Sequence, residues 1–108
     1  MTARVQQVLQ EQLGAGAVSM KETAKRLALS VATLRRKLES EGSSFTLLLE
    51  RARSDAAQRY LSKPEPSVTE VAFLLGFSNL RAFSRAFRRW TGVTPSVFRE
   101  RRRVHNET

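Results

Sequence analysis

The chain has 108 residues, 41% of them hydrophobic, which suits one small folded domain or two very small ones and argues against disorder. Its 19 lysines and arginines exceed its 10 acidic residues and give a net charge of +9, so a polyanionic partner is expected, with nucleic acid ahead of an anionic membrane. The chain has no cysteine, which excludes disulfide scaffolds and thiolate metal sites, and no apolar run that could span a bilayer.

Helical spacing of apolar residues runs through the whole chain, and no stretch alternates polar and apolar residues as a strand would. The first helix has Val5, Val8, Leu9 and Leu13 on one side and is expected to stop at the glycines of 14–16. Residues 1–18 are therefore interpreted as a helix and a glycine-containing turn that belong to a first subdomain.

The segment 19–45 is interpreted as a helix-turn-helix, with helices at about 20–27 and 31–41 joined by a tight turn. Ser19 and Glu22 have the spacing of a capping box, in which the hydroxyl and the carboxylate each satisfy an unpaired backbone amide. The other boundary signals are Ser30 as the cap of the second helix and Gly42 at its end.

A long helix is predicted at about 46–62, because its pattern continues until Pro64 and Pro66, which cannot extend a helix. We expect this helix to pack against the first subdomain and to connect it stiffly to a second one. Within it, Leu49 is the apolar side chain expected to remain exposed.

The segment 63–100 repeats the plan of the first subdomain, with helices at about 68–75 and 79–91 and a closing helix. Its boundary signals are the capping box Ser67 and Glu70, the cap Ser78, the glycine Gly92 and the helix start Thr94-Pro95. Matching positions include Ala24 and Ala72, Leu34 and Phe83, Arg36 and Arg85, and Gly42 and Gly92. The sequence therefore contains an internal duplication. Residues 101–108 are expected to be a frayed basic tail.

The helix at about 79–91 has two contrasting faces. Apolar Leu80, Phe83, Phe87 and Trp90 share one side, and Arg81, Arg85 and Arg88 lie nearly opposite. A solvated basic surface helix would also have this pattern. Because the pattern is built twice in the chain, a helix held in a DNA groove is favoured.

The second copy resembles the DNA-binding signature of the AraC/XylS transcription regulators. The matching residues are Ala72, Gly76-Phe77-Ser78, Phe83-Ser84-Arg85-Ala86-Phe87-Arg88, Gly92, Thr94-Pro95 and Phe98-Arg99. The resemblance implies an all-α fold of about seven helices, forming two helix-turn-helix subdomains joined by a long central helix. It also implies a bacterial, cytoplasmic, nucleoid-associated regulator that reads two successive major grooves of double-stranded DNA. Such regulators usually activate transcription by contacting RNA polymerase, and they usually carry a separate effector-binding or dimerisation domain.

Carried over by resemblance, the base-reading residues are Ala32, Arg35, Arg36, Leu80, Arg81, Ser84 and Arg85. Helical geometry adds Thr33, which lies across from the core positions Val31, Leu34 and Leu38. Arginine suits this work because its planar fork can bond O6 and N7 of one guanine. The residues expected to contact phosphate are Ser43, Ser44, Arg88, Thr94 and Arg99.

The six phenylalanines and the tryptophan could stack on unpaired bases, but their helical phase favours core packing. They are Phe45, Phe73, Phe77, Phe83, Phe87, Trp90 and Phe98. Ala28 stands where the second copy has Gly76, so it is expected to be strained if that turn needs a left-handed residue.

Two alternatives stay open. A non-specific nucleic-acid-binding or RNA-binding protein would explain the charge but not the paired helices. An enzyme is not expected, because the sequence has no nucleophile, metal or phosphate-loop motif, and His105 is its one histidine. We expect no cofactor, and we expect this chain to be monomeric because no heptad seam is present.

Overall fold

The computed structural model describes residues 1–13 and 18–107, with side chains described as far as residue 103. Within these ranges the fold is all-α, as predicted. The helices are α1 (Thr2–Gln12), α2 (Met20–Arg26), α3 (Val31–Ser40), α4 (Phe45–Leu61), α5 (Val68–Leu74), α6 (Leu80–Thr91) and α7 (Pro95–Glu107). The expected stop at 14–16 and the side chain of His105 lie outside the described residues. None of the described helices is long and apolar enough to cross a membrane.

The chain forms two compact units, Met1–Arg53 and Ser54–Thr108, and the division falls inside α4. The sequence pattern predicted that this helix would link two subdomains. In the structure its first half belongs to the first unit, since Leu48 and Ala52 are part of that unit's buried core. The helix therefore completes the packing of the first helix-turn-helix, which two helices with a tight turn cannot achieve alone.

The core of the first unit joins α1, α2, α3 and the beginning of α4. Its fully buried members are Val5, Leu9, Ala24, Leu34, Leu38, Leu48 and Ala52. Leu34 and Leu38 are four residues apart and cover one side of α3. The opposite side of α3 is consequently held toward solvent.

Aromatic side chains build the core of the second unit. Phe83 and Phe87 are fully buried, with ring centroids 5.8 Å apart. Phe77 lies 5.4 Å from Phe83, and Phe98 of α7 meets Phe87 edge-to-face at 5.3 Å. The Trp90 ring centroid lies 6.4 Å from that of Phe87. These rings fix one side of α6 firmly, because edge-to-face pairs add to the burial of apolar area.

Phe73 is the exception to the predicted aromatic core, since its side chain is 58% exposed. Val71, Ala72 and Leu75 form the buried side of α5, and the helical spacing of 100° per residue turns Phe73 away from it. The prediction for Leu49 was also wrong. Leu49 packs partly buried against the first core, whereas Leu47 is 39% exposed.

Side-chain caps begin the helices at the predicted places, with one exception. The Ser19, Ser30 and Ser67 hydroxyls each accept a hydrogen bond from the amide three residues on, and Ser67 with Glu70 completes a capping box. The capping box predicted at Ser19 and Glu22 is only half formed, because the Glu22 amide donates to the Ser19 hydroxyl but the Glu22 carboxylate does not accept from the Ser19 amide. For α6, however, Asn79 rather than Ser78 is the cap, and its Oδ1 accepts from the Ala82 amide at 2.8 Å. Asparagine is among the strongest N-cap residues, so the signal was present one position later.

Three helices end in the same six-residue motif, in which a left-handed residue reverses the chain. In α5, Gly76 has φ 88°, and the following Phe77 amide donates to the Ala72 carbonyl at 3.0 Å. Gly42 after α3 has φ 73°. After α2 the left-handed position is filled by Ala28 with φ 57°, and the Leu29 amide donates to the Ala24 carbonyl at 2.9 Å. These are Schellman motifs. The turn after α2 therefore holds a left-handed residue, which is the condition under which Ala28 was expected to be strained.

The closing helix α7 extends further than predicted, since it continues past residue 100 to Glu107. In its first turns the Arg103 guanidinium bonds the Glu100 carboxylate, with Nη2 and Oε1 2.8 Å apart. Such pairs at i, i+3 add modestly to helix stability. The arginines of 101–103 therefore belong to a helix in the structure.

Candidate nucleic-acid interface

Helix α6 presents three arginines on the side opposite its buried rings. Phe83 and Phe87 are fully buried, while Arg81, Arg85 and Arg88 are exposed. Within the part of the chain that the structure describes, none of these three guanidinium groups has a hydrogen bond or an ion pair. The whole helix contains no acidic residue. Its outer face therefore carries positive charge that no neighbouring side chain neutralises.

Helix α3 has a smaller version of the same arrangement. Ala32, Arg35 and Arg36 are exposed, and the two guanidinium groups have no partner among the described residues. Glu39 is exposed on the same helix and reduces its net positive charge. The expected reading residues of α3 thus share an exposed surface, but with fewer cations than α6 offers.

Two predicted base-reading hydroxyls are less accessible than the arginines. Thr33 is half-buried, its amide donates to the Ser30 Oγ at 3.1 Å, and its hydroxyl lies 2.9 Å from the same oxygen. Thr33 is therefore part of the cap of α3. Ser84 is also half-buried, whereas Leu80 at the start of α6 is 39% exposed.

Of the residues expected to contact phosphate, Ser44 and Thr94 are helix caps. The Ser44 Oγ accepts from the Leu47 amide at 3.2 Å, and the Thr94 Oγ1 accepts from the Val97 amide at 3.3 Å. Both hydroxyls lie where unpaired helix amides can also bind an anion. Ser43 differs, because its Oγ is buried and has no hydrogen-bond partner among the described residues. In this structure the Ser43 Oγ is therefore not accessible to a phosphate.

Arg99 also departs from its predicted role. Its guanidinium donates to three backbone carbonyls, those of Pro66 at 2.6 Å, Tyr60 at 3.2 Å and Leu61 at 3.5 Å. Tyr60 and Leu61 lie in the last turn of α4, where carbonyls have no partner within the helix. Arg99 thus ties α7 to the end of α4 within the second unit, and this geometry turns it away from an external anion. The sequence could not predict these contacts, because every residue has a backbone carbonyl and no side-chain type marks the ones that accept from Arg99.

Several acidic residues are paired outside α3 and α6. Glu11 pairs with Arg26, and Glu100 pairs with Arg103. The amide of Thr2, together with its hydroxyl, lowers the pKa of the Glu41 carboxyl. Arg53 is half-buried, and burial lowers the pKa of its guanidinium. The carboxylates that are paired in this way leave the arginines of α3 and α6 available to an external polyanion.

The described residues include no group of three or more His, Cys, Asp or Glu side chains that could hold a metal ion.

From the sequence we did not predict a contact between a cation and an aromatic ring in α7, where the Arg102 guanidinium lies 5.2 Å from the centre of the Phe98 ring. A cation over an aromatic face is stabilised by the ring quadrupole. The spacing of four residues on one helix is the signal that could have revealed it.

Comparisons with known proteins agree with this architecture. A family model described as a helix-turn-helix domain matches residues 23–101. The ornithine utilization regulator of Pseudomonas aeruginosa is 40% identical over 81 residues, which are 75% of this chain and 24% of that protein. The chain thus spans about a quarter of the length of this curated relative.

Two solved structures are similar to nearly the whole chain. A DNA-binding transcriptional dual regulator from Escherichia coli K-12 superposes with a TM-score of 0.86 at 27% identity, covering 94% of this chain and 90% of its own. The DNA-binding domain of AdpA, a global transcriptional factor solved in complex with a target DNA, gives a TM-score of 0.79 at 30% identity. It covers 99% of this chain and 96% of its own.

Proposed function

The chain belongs to the helix-turn-helix family of AraC-type DNA-binding transcription regulators, and on that basis we propose how it reads its DNA. Helices α3 and α6 each enter a major groove of double-stranded DNA, and the two grooves are successive. In helix-turn-helix proteins the second helix of the motif contacts base edges. That helix is α3 in the motif formed by α2 and α3, and α6 in the motif formed by α5 and α6.

One observation carries this proposal: the guanidinium groups of Arg81, Arg85 and Arg88 have no partner among the described residues and lie opposite the buried aromatic rings of α6. The rings fix the orientation of the helix, so the guanidinium groups need little reorganisation to meet the DNA. Arg81 and Arg85 bond guanine edges in the second half-site, and Arg35 and Arg36 serve the first. Arg88 contacts phosphate, together with the capping hydroxyls Ser44 and Thr94.

We propose a smaller set of DNA contacts than the sequence suggested. Arg99 and Ser43 are left out, because three carbonyls hold the first and burial covers the oxygen of the second. Thr33 acts mainly as part of the cap of α3. Since α6 has more unpaired arginines than α3, the second unit supplies the larger share of affinity and discrimination.

The test begins with selection of binding sites from a random duplex pool. Arg85→Ala should then weaken binding to the selected site by about 1–3 kcal/mol and relax the preference at one or two base pairs. Arg88→Ala should weaken selected and random duplexes alike and make the salt dependence shallower by about one unit. Arg4→Ala is the matched control, because it removes one exposed cation from α1, outside both recognition helices.

The contrast between the two arginines decides the outcome. If Arg85→Ala lowered affinity for selected and random duplex by the same factor, Arg85 would be a phosphate contact. If selection returned no preferred sequence, the chain would be a non-specific nucleic-acid-binding protein, and competition with RNA would then identify its partner.

We further propose that the bound domain activates transcription with RNA polymerase as its partner, at the nucleoid in the bacterial cytoplasm. The chain binds as a monomer, because its two units already supply a bipartite contact. Sedimentation of the chain alone and with one selected site should give masses for one chain and for one chain per duplex. A stable dimer without DNA would contradict the monomer.

A further inference from the structure

The first residue of α6 is an apolar side chain in contact with water. Leu80 follows the cap Asn79 and is 39% exposed, while Phe83, Ala86 and Phe87 of the same helix are buried. The rings of the second unit pack against one another without fully covering Leu80. The fold therefore leaves this leucine available on the recognition helix.

The position of Leu80 around α6 places it at the boundary between the buried and the polar side of the helix. At 100° per residue, buried Phe87 lies about 20° from it on one side and half-buried Ser84 about 40° on the other, with Arg88 about 80° and Arg81 about 100° away. Leu80 therefore belongs to the apolar side of α6 but is exposed at the edge that faces the arginines. It also lies in the first turn, and the first turns of recognition helices are the part that reaches base edges.

A major groove offers few partners to such a side chain. Guanine and adenine present hydrogen-bonding groups there, and cytosine presents an amino group beside a small C5–H edge. Thymine alone presents a methyl group, next to its O4 acceptor. A leucine against a donor or acceptor would desolvate that group without replacing its hydrogen bond, which is unfavourable. Against a methyl group it buries apolar area on both partners.

We propose that Leu80 determines specificity by contacting the 5-methyl group of a thymine in the second half-site, beside the guanines bound by the arginines. This inference rests on the proposed function and adds a base identity that the arginines do not supply. Discrimination between thymine and uracil at that position should be about three- to fivefold, the factor that corresponds to burying one methyl group.

The test uses the selected duplex with each thymine of the second half-site replaced in turn by deoxyuridine, which removes only the methyl group. The wild-type chain should lose about three- to fivefold in affinity at one position and little at the others. Leu80→Ala should bind the thymine duplex more weakly and lose the difference between thymine and deoxyuridine at that position. Alanine is a good helix former and Leu80 is exposed, so the fold should persist.

Leu47→Ala is the matched control, because Leu47 has the same 39% exposure but lies on α4, outside the recognition helices. It should keep the full preference for thymine. The inference is overturned if no single replacement affects the wild type, or if Leu80→Ala keeps the preference. Failure of the proposed function would look different, because selected and unrelated duplexes would then bind equally well.

Discussion

Replacing Ala28 with glycine should stabilise the protein, although it removes a side-chain atom and touches no core residue. Ala28 is exposed and has φ 57°, in the left-handed position of the Schellman motif after α2. An L-residue there costs about 1–2 kcal/mol relative to glycine. Glycine also gives the unfolded chain more conformational freedom, which offsets about 0.4–1 kcal/mol of this gain. The net gain in the free energy of unfolding should therefore be between about 0 and 1.6 kcal/mol, with a centre of about 0.8 kcal/mol.

Chemical denaturation followed by circular dichroism measures this change. The midpoint should rise with an unchanged m-value, and a gain of 1 kcal/mol would raise the Tm by about 4–8 °C for a domain of 60–100 residues. Gly42→Ala is the matched reverse control. Gly42 occupies the same motif position after α3 with φ 73°, and an added Cβ would meet no heavy atom within 4 Å. Its cost should therefore come from the backbone alone.

The two sites lie at opposite ends of α3, about 15 Å apart along the helix, so their effects should add. The double variant should unfold close to the wild type. A loss of stability in Ala28→Gly would refute the reasoning, since it would mean that the exposed methyl group contributes more than its dihedral strain costs. A higher free energy of unfolding in Gly42→Ala would also refute the reasoning, because an L-residue would then be favoured at the left-handed position.

Three more outcomes follow from the described contacts. Phe87→Ala should lower the unfolding free energy by about 3–5 kcal/mol, because the ring is fully buried. Phe73→Ala should lower it by about 0.5 kcal/mol or less, because that ring is 58% exposed. Equal losses in the two variants would mean that Phe73 is packed. The Thr2 amide and hydroxyl lower the pKa of Glu41, so the stabilisation from this carboxylate should be complete above about pH 4.5 and disappear as the pH falls through the lower folded pKa. The difference in unfolding free energy between the wild type and Glu41→Gln should therefore become smaller toward acid pH. Inserting about half a turn, roughly 5 bp, between the half-sites should abolish bipartite protection in footprinting; unchanged protection would mean that one unit alone engages the DNA.

The helices and the basic surface could be predicted because they depend on local patterns. Apolar residues at helical spacing located α3 and α6, and the duplication aligned Ala28 with Gly76, which indicated the left-handed turn from the sequence alone. The cap of α6 was misplaced by one residue because Ser78 and Asn79 are both good caps, and only the backbone geometry chooses between them.

The remaining errors concern what covers a side chain, which a linear pattern does not record. Phe73 was assigned to the core as an aromatic residue among others, but the phase of α5 turns it outward. Arg99 has the chemistry of a phosphate ligand, yet its guanidinium donates to the carbonyls of Tyr60 and Leu61 at the end of α4 and to that of Pro66. Ser43 has an exposed residue on either side, while its own oxygen is buried.

The four arginines of α6, in a helix without an acidic residue, have an effect on the free domain as well as on its complex. Like charges on one surface repel one another, and Arg81 in the first turn also opposes the positive end of the helix dipole. Salt screens this repulsion and should raise the stability of the free domain, whereas the same salt weakens its hold on DNA. Folding stability and DNA affinity therefore respond to ionic strength in opposite directions. The occupancy of a DNA site depends on both the fraction of folded domain and its affinity for that site.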